Sequence, residues 1–179
     1  MKALIQRVAN AKVTVDGEII SSIQQGICVF IGISKTDTKK DIEYIVRKLL
    51  SIKFFDDESG NKWKRTVVER QLEILCVSQF TLYNTWKGNR PDFHNAMPGE
   101  QSKEFYENFL DTLRNAYISE KIKDGKFSTY MQVSIQNDGP TTFEVVSPIT
   151  VLKEDKRNSK SNSAKNSAIC NGEVNVEDR

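Results

Sequence analysis

The chain has 179 residues, enough for one domain with an appendage, and a hydrophobic fraction of 38% supplies a single core. The net charge of +2 permits a nucleic-acid partner without requiring one. No apolar stretch is long enough to cross a membrane, and residues 1–7 lack the features of a signal peptide. Three cysteines without a close pair argue against a disulfide framework, so we expect a reducing, cytoplasmic setting.

The first third of the chain predicts strands. Residues 4–15 alternate imperfectly between apolar and polar, and Asp16-Gly17 is a strong two-residue hairpin signal that turns the chain into a strand over 18–22. Residues 27–33 are apolar on both faces, which indicates a central strand. We interpret this opening as a β-meander.

Two helices are predicted from apolar periodicity. Asp37 or Thr38 can cap a helix that runs to about Ile52, and residues 100–117 repeat large apolar side chains at helical spacing. The intervening residues 83–99 mix cations with aromatic rings and predict a long irregular loop. Two further strands, 130–135 and 143–146, are expected around a turn at Gly139-Pro140.

These elements predict an α+β fold in which a barrel-like or meander sheet carries two helices. We assign residues 1–152 to this domain. Residues 153–179 are rich in Asn, Ser and Lys and too poor in apolar side chains to offset the entropy of ordering, which predicts a disordered tail.

The stretch Leu72–Leu82 is the first candidate site. Its first half is an apolar run typical of a buried strand, and Ser78, Gln79 and Thr81 follow where that run stops. Polar groups at the end of a buried strand must find partners or face a ligand, because leaving one bare costs about 1–3 kcal/mol. The residues alone leave open whether this segment is catalytic.

Conventional catalytic residues are scarce. His94 is the single histidine and lies in a loop without a nucleophile elbow, so a Ser-His-Asp or Cys-His arrangement is not expected. Without paired cysteines or a glycine-rich phosphate loop, we expect no metal and no cofactor. Cys76 lies in an apolar run, where a thiol is a poor nucleophile, which weakens the hypothesis of a general esterase built on it.

A basic surface with stacking rings is the second candidate site. Arg7, Lys87 and Arg90, together with Trp86 and Phe93, combine cations and aromatic rings in a way that suits a single-stranded RNA end. A solvated loop with ordinary packing explains the same composition, and composition favours neither interpretation.

Four segments in the same order resemble the D-aminoacyl-tRNA deacylase family. They are Met1–Val8, Ser78–Leu82, Gly88–Phe93, and Met131–Ser134 leading to Asn137–Pro140. The resemblance covers about residues 1–146. One departure is Thr141, which stands where family members typically have valine after Gly-Pro. This change keeps a β-branched side chain but adds a hydroxyl that needs a partner.

The resemblance implies a homodimer that hydrolyses the ester between a D-amino acid and the 3′-terminal adenosine of tRNA. It also implies that the segment Ser78-Gln79-Phe80-Thr81 of one subunit faces a cis Gly139-Pro140 of the other. A rigid Gly-Pro backbone is suited to excluding an L side chain at the α-carbon, because proline fixes φ and glycine permits close approach. Such a filter does not exclude glycyl-tRNA.

The expected mechanism depends on the main chain. Backbone N–H groups near Ser78–Phe80 stabilise the oxyanion, and the substrate's ribose hydroxyl activates water. Two alternatives stay open. Thr81 can act as a nucleophile, although no base lies near it in sequence, or the chain can be a non-catalytic nucleic-acid-binding dimer that uses the Trp86–Phe93 loop and the basic tail.

Overall fold

The structure is a computed structural model and describes residues 1–148. The strands are β1 (Lys2–Val15), β2 (Glu18–Ile23), β3 (Gly26–Gly32), β4 (Lys53–Phe55), β5 (Arg65–Thr66), β6 (Glu73–Ser78), β7 (Thr85–Lys87), β8 (Arg90–Asp92), β9 (Ile122–Asp124) and β10 (Gln132–Val146), and the helices are α1 (Lys39–Ser51) and α2 (Gly99–Ala116). Short 3₁₀ helices occupy Phe80–Tyr83 and Ser119–Lys121. The predicted domain boundary at 152 and the predicted tail 153–179 lie outside the described residues.

The main sheet has the order β10-β1-β3-β6-β9, and β2 also pairs with β1. The first half of β1 pairs with β3 and its second half with β2, so this long strand bends and curls the sheet into a nearly closed, barrel-like form. The α+β prediction is confirmed. The meander interpretation is wrong in one respect, because β3 pairs with β1 and β6 and not with β2.

Local sequence explains the first elements. Asp16 and Gly17 have φ values of 50° and 86°, which a tight hairpin turn requires. At the start of α1, Thr38 and Asp41 form a capping box in which each side chain is paired with the backbone of the other residue. Four of the five residues predicted for the apolar face of α1 are buried, namely Ile42, Ile45, Val46 and Leu49, and the fifth, Leu50, is half-buried. Neither helix in the range 1–148 is long and apolar enough to cross a membrane.

The core lies on both faces of the sheet. One cluster joins the sheet to the two helices through Ile5, Ile74, Phe109 and Leu113, among others. A second, smaller cluster fills the inside of the curl. Burying each large apolar side chain contributes about 1.5–3 kcal/mol, so this packing fixes the relative positions of the strand ends that build the site.

Two predictions for the second half of the chain are wrong. The loop 83–99 contains the small hairpin β7–β8, and the two strands expected around Gly139-Pro140 are one continuous strand, β10. β1 pairs with β10 on both sides of this dipeptide, from Gln6↔Thr142 to Val8↔Asn137. Over that interval β1 advances two residues (6 to 8) and β10 five (137 to 142), so residues 138–141 bulge outward without reversing the chain.

Candidate active site

A pocket of about 370 Å³ opens at the carboxyl ends of the parallel strands. Strands β3, β6 and β9 run parallel, so their carboxyl ends lie along one edge, which is where ligands bind in parallel sheets. The amino end of α2 closes the opposite side. The lining residues are Ile31, Ile33, Ser78, Gln79, Phe80, Phe93, Ala96, Met97, Pro98, Gly99, Ser102, Phe127 and Ser128.

The segment that follows β6 forms a wall of this pocket. Ser78, Gln79 and Phe80 line it, whereas Thr81 is not among the lining residues, and the Thr81 hydroxyl accepts a hydrogen bond from the Gln79 side-chain amide. The Gln79 N–H donates to the Ile31 carbonyl at 2.7 Å. This hydrogen bond uses the backbone donor at the middle of the predicted oxyanion segment.

Backbone donors remain one residue further along. Phe80 and Thr81 begin the 3₁₀ helix, so their N–H groups have no acceptor within it. Within residues 1–148 neither group donates to a carbonyl elsewhere. Of the predicted segment Ser78–Phe80, the Gln79 N–H is thus used within the fold, whereas the Phe80 N–H remains available among the described residues.

The 3₁₀ helix is packed tightly against the sheet. The Lys2 ammonium donates to the Leu82 carbonyl at 3.1 Å and lies 5.2 Å from the centre of the Tyr83 ring. A Cβ at Gly32 would come within 2.8 Å of the Leu82 Cβ, so only glycine permits this approach. The helix is thus fixed by main-chain bonds, close packing and a cation from β1.

The hairpin β7–β8 adjoins the pocket through one ring. Phe93 packs edge-on against Phe80 with their centroids 5.0 Å apart, and both rings line the pocket. Lys87 forms an ion pair with Asp92, and this ammonium, together with the N–H and ring of His94, holds the pKa of Asp92 well below its ordinary range. The charge of Lys87 is therefore partly neutralised by Asp92. Arg90, on the same hairpin, is exposed to solvent.

Gly139 and Pro140 lie on the outward bulge of β10. Their peptide bond is cis, Gly139 has a φ of 116°, and both residues are exposed. A Cβ at Gly139 would lie 2.9 Å from the Thr141 hydroxyl oxygen, which faces it. Neither Gly139 nor Pro140 lines the pocket of its own chain.

Arg7 lies beside this bulge and is not grouped with the hairpin. Its Nη1 donates to the Phe54 carbonyl at 2.8 Å, and its Nε lies 3.2 Å from both the carbonyl and a carboxylate oxygen of Asp138. The polar contacts of Arg7 among the described residues are thus with the bulge and with β4. Arg7 holds the segment that contains Gly139.

The alternative nucleophiles are poorly placed. Cys76 is fully buried, and burial raises the pKa of its thiol far above the ordinary value, so a thiolate is strongly disfavoured. His94 has its Nδ1 2.9 Å from an Asp92 oxygen on the hairpin, and it does not line the pocket. Neither Cys76 nor His94 therefore reaches the pocket described above.

Several lining residues were not singled out in the sequence. Phe127 and Ser128 follow β9, and Met97 precedes α2, so each becomes recognisable only once the parallel strand order is known. Ser128 carries one signal that no sequence pattern reveals, a positive φ of 56° in a residue other than glycine.

The family model described as D-Tyr-tRNA(Tyr) deacylase matches residues 4–146. The chain is 59% identical to D-aminoacyl-tRNA deacylase 1 of Bos taurus over 148 residues, which covers 83% of this chain and 71% of that protein. It is 57% identical to D-aminoacyl-tRNA deacylase 1 of Homo sapiens, with coverage of 89% and 78%. The D-aminoacyl-tRNA deacylase of Drosophila melanogaster is 56% identical, with coverage of 83% and 93%.

Two solved structures share this fold. A structure described as c-Myc DNA Unwinding Element Binding Protein is 59% identical, has a TM-score of 0.81, and covers 83% of this chain and 99% of its own. A structure described as a probable eukaryotic D-amino acid tRNA deacylase shares the fold at 18% identity and a TM-score of 0.68, covering 80% and 98%. The chain belongs to the D-Tyr-tRNA(Tyr) deacylase family and is a hydrolase that acts on ester bonds.

Proposed function

We propose that this protein hydrolyses the ester bond between a D-amino acid and the 3′-terminal adenosine of tRNA, releasing the free D-amino acid and tRNA. The observation that carries the proposal is the pocket at the carboxyl ends of the parallel strands, with Ser78, Gln79 and Phe80 as one wall. Its volume of about 370 Å³ suits a nucleoside. Three aromatic rings in its lining, those of Phe80, Phe93 and Phe127, can stack on the adenine base.

The proposed chemistry needs little from side chains, because an aminoacyl ester is already activated. Water attacks the ester carbonyl, the bond to the ribose oxygen breaks, and that oxygen receives the proton. The Phe80 N–H stabilises the oxyanion, since Phe80 lines the pocket and the Gln79 N–H is used by Ile31, and a well-placed donor lowers the barrier by about 2.7–4 kcal/mol. The neighbouring ribose hydroxyl activates the water.

Chirality is set by the main chain at Gly139-Pro140. D and L substrates differ only in which side of the α-carbon carries the side chain, so a rigid obstacle on one side rejects the L form. Gly139 is exposed, and the Thr141 hydroxyl oxygen and the Arg7 Nη2 lie 2.9 Å and 3.1 Å from the position that a Cβ on it would take. Glycine has no Cβ to collide with this obstacle, so we expect glycyl-tRNA to be a substrate as well.

The site requires a second copy of the chain. Gly139 and Pro140 do not line their own pocket, so a second subunit must supply them if they are to meet the substrate there. β10 pairs with β1 alone among the described strands, which leaves a 15-residue edge with exposed Phe143 and Val146. An unpaired edge of this length is a natural surface for pairing with another chain. The proposed assembly is a homodimer with composite sites at the interface.

The tRNA strand beyond the adenosine is proposed to pass along the hairpin β7–β8. Trp86 is 68% exposed there, next to Lys87 and the exposed Arg90. An exposed indole flanked by cations stacks on unpaired bases and attracts the phosphates that join them. We also propose the cytoplasm, where translation uses aminoacyl-tRNA, as the working compartment.

The second candidate function is that of a non-catalytic nucleic-acid-binding dimer. It is favoured by the exposed Trp86 and by the 59% identity to a structure described as a DNA unwinding element binding protein. The two proposals differ in their products, because a binder releases no amino acid.

The test is deacylation of matched D-Tyr-tRNA, L-Tyr-tRNA and Gly-tRNA by the full-length protein. Deacylation is measured as the release of labelled amino acid. We expect rapid release from the D and glycyl substrates and background release from the L substrate. Binding of deacylated tRNA and of duplex DNA is measured in parallel. Tight binding with no release from any substrate would replace the enzyme proposal with the rival, and equal release from D and L forms would remove the chirality filter.

A further inference from the structure

We infer that Trp63 is a positioning residue for chiral discrimination, because its indole holds the Arg7 guanidinium against Gly139. The inference rests on the proposed function of Gly139-Pro140 and extends it to a residue that contacts neither the pocket nor the bulge. It assigns a role to a large aromatic side chain that the pocket leaves unexplained.

Trp63 lies in the loop between β4 and β5. Its ring centroid is 5.8 Å from the Arg7 Cζ and 5.8 Å from the Phe143 ring, which it meets nearly edge-on at 74°. The side chain is 44% exposed and its φ is 61°, a conformation that bulky residues rarely adopt. An exposed indole held in such a backbone conformation is not explained by core packing.

The contacts of Arg7 show what the indole acts on. Phe54 and Asp138 take up hydrogen bonds from its Nη1 and Nε, as described above, and its Nη2 lies 3.1 Å from the position that a Cβ on Gly139 would take. The edges of the guanidinium are thus directed at the main chain of the bulge and at β4. Trp63 adds an aromatic ring over the same group.

A chain of aromatic rings ties this arrangement together. Phe143, two residues beyond Thr141 on β10, packs edge-on against Phe54 with centroids 5.1 Å apart, and its other neighbour is Trp63. The same Phe54 supplies the carbonyl that Arg7 binds. The loop that carries Trp63 therefore contacts β10 through Phe143 and contacts the Arg7 guanidinium through the indole.

The physical consequence concerns rigidity. The hydrogen bonds of the Arg7 guanidinium are already directed at the main chain. An aromatic ring over such a cation further restricts the positions that the cation can take. If the indole is removed, Arg7 gains freedom and Gly139 loses its backing, so an L side chain can displace the bulge. The rate on D substrates changes little, because these do not press on the obstacle.

Three substitutions separate this role from simple packing. Trp63→Phe keeps an aromatic face, Trp63→Leu keeps apolar volume without a ring, and Trp63→Ala removes both. All three retain a Cβ at the same positive φ, so they share any backbone cost. kcat/KM is measured for D-Tyr-tRNA and L-Tyr-tRNA with the full-length proteins, and melting temperatures are recorded alongside.

We expect Trp63→Phe to keep the D/L ratio of the unsubstituted protein, and Trp63→Leu and Trp63→Ala to lower it about tenfold through faster L hydrolysis. A role in general stability would lower both rates together and leave the ratio unchanged. An unchanged ratio in a folded Leu or Ala variant overturns the inference. Unfolded Leu and Ala variants beside a folded Phe variant overturn it too, since Trp63 would then be a folding residue.

The failure of the proposed function is distinguishable from the failure of this inference. If the unsubstituted protein releases no amino acid, or hydrolyses D and L forms equally, the function fails before any Trp63 variant is compared. If the unsubstituted protein discriminates as proposed and Trp63→Ala does too, only the role of Trp63 is lost.

Discussion

The 3₁₀ helix after β6 and the bulge in β10 carry the two halves of the proposed site, and they are held in different ways. The helix is fixed mainly by its backbone: the Gln79 N–H bonds Ile31, and Leu82 packs on Gly32. The bulge lies on an edge strand, and the side chain of Arg7 holds it through the carbonyl and carboxylate of Asp138. A backbone-held segment tolerates many side-chain changes, whereas a segment supported by one side chain does not.

A shared feature links the two segments. Both are contacted by cations of β1, Lys2 at the helix and Arg7 at the bulge. β1 pairs with β2, β3 and β10, so it is the best-anchored strand of the sheet. The comparison therefore predicts graded effects: severe at Gly139, intermediate at Lys2, and slight at the Thr81 side chain.

The largest effect is expected from Gly139→Ala. The added Cβ would lie 2.9 Å from the Thr141 hydroxyl oxygen and 3.1 Å from the Arg7 Nη2, and a φ of 116° strains any residue that has a Cβ, so these side chains and the bulge shift together. A displacement of this kind costs about a hundredfold in D-aminoacyl-tRNA hydrolysis, because the obstacle and the partner's pocket no longer fit. The measurement is kcat/KM on D-Tyr-tRNA.

Gly17→Ala is the matched control. Gly17 also has a positive φ, of 86°, but nothing lies within 4 Å of the added Cβ. This variant carries only a backbone cost of about 1 kcal/mol, which lowers the melting temperature and leaves the rate alone. Equal rates for the two variants would mean that close approach at Gly139 has no function.

An intermediate effect is expected from Lys2→Met. The change keeps most of the length of the side chain but removes the ammonium group that donates to the Leu82 carbonyl. It also removes the weaker ion pair between Lys2 and Glu144, at 3.9 Å. The 3₁₀ helix keeps its backbone bonds, so we expect a drop of about fivefold in kcat with KM nearly unchanged. Lys12→Met, an exposed position on the same strand, is the control and should leave kcat unchanged.

If Lys2→Met lowered the rate as far as Gly139→Ala does, the helix would depend on its side-chain support as much as the bulge does. The comparison between the two segments would then fail. A D/L ratio that stays constant in Lys2→Met separates this effect from damage to the chirality filter.

Much of the fold was predictable because local signals agreed with the tertiary structure. The capping box and apolar period give α1 within one or two residues, and the two-sided apolar pattern of 27–33 correctly indicates a central strand. The hairpin β7–β8 was missed although Gly88-Asn89 is a two-residue turn signal. Its strands are only three residues long, and their composition is that of a loop.

The continuity of β10 was not predictable from local signals. Gly-Pro ordinarily ends a strand, and only pairing with β1 on both sides carries the strand through the bulge. The pocket follows the same rule: Ser78, Gln79 and Phe80 stand out in the sequence, but Phe127 and Met97 join them through the strand order. Contacts that depend on topology, such as those of Arg7 and Trp63, have no signature in neighbouring residues.

The smallest effect is expected from Thr81→Ala, and it decides between the main-chain mechanism and a threonine nucleophile. The Thr81 hydroxyl accepts a bond from the Gln79 amide and does not line the pocket, whereas its N–H survives the substitution. We therefore expect kcat to fall by less than about fivefold, whereas loss of a nucleophile would cost about 10³ or more in a folded protein. Thr81→Ser, which keeps a hydroxyl, should match the unsubstituted protein under both mechanisms.

Burst kinetics on D-Tyr-tRNA add an independent measurement, because a covalent intermediate would release one equivalent of tRNA before the steady state. A large loss in Thr81→Ala together with a burst in Thr81→Ser would move the chemistry from the backbone to the hydroxyl.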